Sequence, residues 1–212
     1  QNLQAGPLLK DLTGQDKLTG TGRFKMAINS SGNSVTAIKQ ALNGTADFRC
    51  DNGAVKGVYL AKLLRETKAR FEGKSVPKSD EPEQTDFSEL SGSAKITNGI
   101  INNQDLLAKS PFLRIGGAGT VNLVKETLDY TVEARVVSTD KGQGGEELKD
   151  LEGLNIPVKL TGSYLAPKYS VDWGKVLLSS QKAKVDEKIE EQKEELQEKL
   201  QEKLGDKLKG FF

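Results

Sequence analysis

The sequence predicts an α+β protein: a mainly antiparallel sheet with one apolar face, short amphipathic helices, and a long charged α-helix at the C-terminus. Three observations predict it. Apolar and polar residues alternate strictly through several segments, most clearly where Leu128, Tyr130, Val132, Ala134 and Val136 interleave with Asp129, Thr131, Glu133 and Arg135. Two segments switch to helical spacing, near residues 34–42 and 58–71. Beyond about Val176 proline is absent and Glu, Lys, Gln and Leu dominate, all good helix formers.

Taken in order, the first strand spans Thr21 to Ile28, with Phe24, Met26 and Ile28 facing one way and Arg23, Lys25 and Ala27 the other. Val35, Ile38 and Leu42 form one stripe of a short helix that Asn43-Gly44 should stop. Ala46, Phe48 and Cys50 alternate against Asp47 and Arg49, and Asp51-Asn52-Gly53 then predicts a turn. A second helix is expected from about Val58 to Phe71. From about residue 72 to 86 lysine, serine, proline and acidic residues replace apolar ones, the composition of a mobile surface loop. Strand signals resume at Ser93 to Thr97, recur at Leu113 and Ile115, and return at Gly119 to Val124. The pattern Leu-x-Gly-Ser/Thr at residues 18–21, 42–45, 90–93 and 160–163 marks candidate strand entrances. Two copies are followed by Asn-Gly, at Asn52-Gly53 and Asn98-Gly99, which suggests a duplicated hairpin; glycine before a hydroxyl residue is also common at strand starts.

Composition narrows the function. Lys and Arg number 31 against 30 Asp and Glu, so no overall basic footprint for nucleic acid exists. There is no histidine, the commonest general base and metal ligand, and the single cysteine, Cys50, has no partner for a disulfide or a Cys–His nucleophile. No catalytic residue, cofactor or metal is expected. Asp86 with Glu89, or Glu146 with Glu147, lie in polar stretches where solvated charge is the commoner explanation, and Gly142-Gln143-Gly144-Gly145 lacks the context of a phosphate-binding loop. No run of about eighteen apolar residues occurs. The chain begins at Gln1 in a polar stretch and is expected to be a fragment of something longer.

From Leu18 to Ser163 the chain resembles the C-terminal region of the bacterial AsmA family. The resemblance rests on the order of several segments: Leu42 to Thr45 with the Phe48 strand and Asp51-Asn52-Gly53; Thr85 to Gly92; Asn98-Gly99; Ser110-Pro111; Gly116 to Leu123; Leu128-Asp129-Tyr130; and Leu154 to Val158. It implies a curved sheet forming a groove or half-barrel over residues 1–173, periplasmic and tethered to the inner membrane by a segment absent here. The groove would carry phospholipid acyl chains toward the outer membrane, with Phe24, Met26, Ile28, Phe48, Leu128, Tyr130, Val132 and Val136 as lining candidates. A scaffold assisting outer-membrane protein assembly is the alternative. From periodicity alone, an ordinary core under the short helices is the simpler account of the apolar face.

Residues 174–212 lie outside the resemblance, and from about Val176 to Lys209 they are read as one helix, roughly 50 Å long at about 1.5 Å per residue. Val185, Ile189, Leu196, Leu200, Leu204 and Leu208 form its apolar stripe. Leucines four apart drift about 40° per step around an ideal helix, which disfavours a long coiled coil. Three roles stay open: a solvated tail, a cover for the sheet's open edge, or a dock for a membrane surface or envelope proteins.

Overall fold

A computed structural model describes residues 3–7, 10, 16–76, 82–137, 151–182, 188–190, 192–193 and 196–197. The chain divides into two compact units, Gln1–Asp172 and Trp173–Phe212. In the first unit nine strands form a single open sheet in which every strand pairs antiparallel with its neighbours in sequence. They are β1 (Leu3–Gln4), β2 (Thr21–Asn29), β3 (Asn43–Lys56), β4 (Gln84–Thr97), β5 (Ile100–Lys109), β6 (Leu113–Asn122), β7 (Thr127–Val136), β8 (Asn155–Ser163) and β9 (Lys168–Val171). A meander of this kind needs only local connections, and those between β4 and β8 carry no α-helix among the described residues.

Among the described residues the first unit has helical residues at 5–7 and 10 and two longer helices. Helix α1 (Val35–Gln40) starts where the Ser34 side chain accepts the Ala37 N–H at 3.2 Å, and it buries none of its residues. Helix α2 (Leu60–Phe71) buries Leu60, Ala61 and Leu64, and its first N–H is donated to Thr85 Oγ1 in β4. The second unit opens with a helix over residues 173–182, three residues before the expected start. Residues 188–190, 192–193 and 196–197 are also helical, with Ile189 and Leu196 exposed; Val185, Leu200, Leu204 and Leu208 lie outside the described residues.

Several sequence expectations need correction. Asp51-Asn52-Gly53 does not turn: β3 runs on to Lys56. Asn52 takes a left-handed conformation (φ 50°) within the strand, and Gly53 lies so close to Thr19 that a Cβ would stand 2.0 Å from the Thr19 carbonyl oxygen. This kink lets residues 17–19 pair with 54–56 beyond Gly20, through Thr19 N–H to Ala54 O at 2.9 Å and Lys56 N–H to Lys17 O at 2.9 Å. Asn98-Gly99 does turn, with φ of 49° and 73°, the pair of positive angles a two-residue hairpin needs. The two Asn-Gly pairs are thus different structures, and no duplicated hairpin unit exists. Leu-x-Gly-Ser/Thr opens β2 and β3 but lies inside β4 and at the end of β8. The polar 72–86 segment ends early, because Gln84 already pairs with Lys56. The Leu113 and Gly119 signals belong to one strand, β6, and β5, β8 and β9 extend the sheet beyond the strands read from alternation.

Candidate functional site

Directly opposed residues of neighbouring strands share a face, so the register assigns each side chain a side of the sheet. Ile28, Gly44, Ile96, Ile101, Val121, Leu128 and Gly162 form one continuous rung from β2 to β8. Gly22, Cys50, Leu90, Ala108, Ile115, Ala134 and Ile156 form another at the opposite end of the same face. Between them stand Phe24, Met26, Phe48, Tyr130, Val132 and their neighbours, and Val136 lies just past the second rung. All eight candidate residues therefore share one face, and Asn103 is its one amide among otherwise apolar, glycine and tyrosine positions.

Burial along this face is graded. At the Ile156 end the side chains are sealed: Cys50, Ala134, Val136 and Ile156 are each 0% exposed. Phe24, Phe48, Leu106, Tyr130 and Val132 in the middle are half-buried. At the other end the β2 corner is open, with Met26 and Ile28 49% and 45% exposed and Val35 and Ile38 of α1 exposed as well, while Ile96 in the rung of Ile28 stays buried. The stripe of α1 thus adds open apolar surface where a covering helix would have removed it.

Glycines keep the middle of the face low. Phe48 lies against Gly92, where an added Cβ would stand 3.2 Å from its ring, and Tyr130 lies across Gly117 and Gly119, with ring atoms 2.8 and 2.7 Å from the corresponding positions. Rings laid flat over glycine cover backbone without projecting from the sheet. Tyr130 reaches β5, where its hydroxyl donates to Asn103 Oδ1; Asn103 Nδ2 in turn donates to Ser93 O at 2.6 Å and Asp105 Oδ1 at 2.8 Å. Asp105 occupies a bulge in β5 and accepts from Ser93 N–H at 2.8 Å and Ser93 Oγ–H at 2.7 Å. The one polar side chain on the apolar face is thereby satisfied, and the bulge is pinned to β4. Sequence reasoning missed Asn103, Leu106, Gly117, Gly119, Val158 and Leu160 as members of this face; the Gly-Gly-Ala-Gly run was the available signal for two of them.

The electrostatics follow from this network. Hydrogen bonds from the Ser93 backbone and hydroxyl hold Asp105 below the usual aspartate value. Burial, reinforced by the Asp105 charge, pushes the Tyr130 phenol up to about 12. Burial also raises the Cys50 thiol, which makes it a poor nucleophile. Because the fold favours neutral Tyr130, its contribution to stability is complete below pH 10 and is lost as pH rises from there toward about 12. Tyr130 is expected to ionise near pH 12 in an ultraviolet titration, and Tyr130→Phe should remove that late step. An unchanged titration curve in the variant would refute the assignment.

A meander with one apolar face and one charged face defines a sheet protein that offers extended hydrophobic surface. The pattern that defines the AsmA family matches residues 1–106, and the chain belongs to that family. Protein AsmA of Escherichia coli (strain K12) is 22% identical to it over 181 residues, covering 84% of this chain and 28% of that protein. The chain thus spans less than a third of that relative's length. No solved structure matches it. Among the described residues no helix is long and apolar enough to cross a membrane.

Proposed function

We propose that this chain is a non-catalytic part of a periplasmic envelope protein whose apolar sheet face forms a groove for lipid acyl chains, serving phospholipid transport between the inner and outer membranes. The observation that carries this reading is the graded face: a continuous apolar surface sealed at the Ile156 rung and open at Met26 and Ile28. A surface of that kind lowers the free energy of a lipid by about 0.8 kcal/mol for each methylene it removes from water. Low rings over Gly92, Gly117 and Gly119 leave room for a chain along the sheet. Family membership supports the envelope setting.

Mass spectrometry of the organic extract from gently purified protein tests the reading. Co-purified phospholipid in amounts comparable to the protein is expected; protein free of phospholipid under mild extraction would count decisively against it. A scaffold role is the second reading. One observation favours it: β9 is the last strand of the open sheet and Lys168–Ser170 are exposed, an edge for strand addition. Lipid-free protein that captures outer-membrane proteins through this edge would establish the scaffold in place of the groove.

A further inference from the structure

The face opposite the apolar one carries a second rung. One residue away from the sealed apolar rung in each strand, the register lines up Thr21, Asp51, Glu89, Lys109, Arg114, Arg135 and Asn155 across β2 to β8. Three cations, Lys109, Arg114 and Arg135, thus stand side by side next to two carboxylates, Asp51 and Glu89, with neighbouring strands about 4.8 Å apart. Glu89 is already engaged by Arg49 at 3.2 Å and Lys109 at 2.9 Å. Arg114 and Arg135 oppose each other directly, an arrangement that destabilises a strand pair unless an anion intervenes. Among the described residues neither has a carboxylate within ion-pair distance. Arg114 is nonetheless oriented, because its Nη1 donates to Ser110 O at 2.8 Å and Leu113 O at 3.1 Å, leaving its other donors available.

Beside this pair lies a cleft of about 350 Å³, walled by Lys109, Arg114, Arg135, Asn155, the carboxylates Glu89 and Glu133, and the exposed side chain of Leu107. Gly116 forms part of its lining, and a Cβ there would meet nothing nearer than 4.0 Å. The cleft backs onto the sealed rung, to which Ala108 and Ile115 belong. We propose that this cleft binds a phosphoryl group carrying a neighbouring hydroxyl or amine. The two guanidinium forks and the Lys109 ammonium suit the phosphate oxygens, the Asn155 amide adds a neutral donor, and Glu133 accepts from the hydroxyl or amine. Such a group occurs on lipid headgroups and on soluble phosphate esters.

Calorimetric titration of the full chain with glycerol 3-phosphate and with phosphoethanolamine, alongside co-sedimentation with phosphatidylglycerol vesicles, tests the site. Binding of at least one of the three probes is expected. The Arg114→Gln/Arg135→Gln variant should weaken it about tenfold or more, a loss of roughly 1.4 kcal/mol. Gly116→Val changes no charge and suits a strand, yet fills the cleft, and should weaken binding several-fold. Lys95→Gln/Lys168→Gln removes the same charge elsewhere on this face and should leave binding within about twofold. Binding of soluble esters without vesicles identifies a soluble phosphate as the ligand, while vesicle binding sensitive to the same variants identifies a headgroup. The proposal is overturned if no probe binds, if Gly116→Val binds as the parent does, or if both charge variants lose affinity equally. Should the double arginine variant fail to fold, Arg135→Lys reads the same quantity: a several-fold loss supports the site and parental affinity overturns it.

Discussion

Replacing Ile156 by alanine is expected to lower the free energy of unfolding by about 2–5 kcal/mol, whereas Ile28→Ala should cost about 1 kcal/mol or less. The two isoleucines share one face of the same sheet, and both substitutions delete the same atoms. They differ in what surrounds them. Ile156 is 0% exposed and stands in a rung with Ala134, Ile115 and Leu90, so truncation forfeits the full transfer free energy and leaves a cavity in a dense layer. Ile28 is 45% exposed beside Gly44, so roughly half its surface already faces water and truncation leaves no enclosed void. Urea denaturation of the parent and the two variants measures the difference as a shift in midpoint at constant slope. Similar losses at both sites would mean that the sealed and open ends are not distinct.

How far such a gradient could be foreseen depends on what alternation reports. Period-two patterning gave the identity of the apolar face in β2, β3 and β7, because Phe24, Phe48 and Tyr130 each alternate with charged or polar neighbours over whole segments. It was silent on β5. There the bulge at Gln104–Asp105 inserts one residue, so that Ile101 and Asn103 share a face with Leu106 and Ala108. A strand that changes parity midway shows no period. The Asn-Gly pairs were ambiguous for a related reason: both supply positive φ, but only tertiary contact decides between a turn at Asn98 and a kink at Asn52. Glycine's role on the face was equally hidden, since what Gly117 and Gly119 do is accept the Tyr130 ring from the next strand. Exposure at the Met26 end was beyond reach, because an amphipathic helix such as α1 reads the same whether its stripe is covered or bare.

That bare end allows the lining role of the face to be separated from its structural one. The Met26→Glu/Ile28→Glu variant is expected to keep the stability of the parent within about 1 kcal/mol, the span of strand propensities at half-exposed positions. Its affinity for a fluorescent acyl-chain probe should nevertheless fall about 100-fold or more. The asymmetry arises because the two carboxylates remain hydrated in the empty protein, where these positions are 49% and 45% exposed. A bound acyl chain would displace that water, and burying an uncompensated charge costs several kcal/mol, whereas 100-fold corresponds to only about 2.7. Ala27→Glu/Asn29→Glu supplies the control, since both positions lie on the polar side of the same strand and add the same charge. If the two variants bind the probe equally well, the open end of the apolar face does not line the path of the chain, and the Met26 and Ile28 side chains serve the sheet alone.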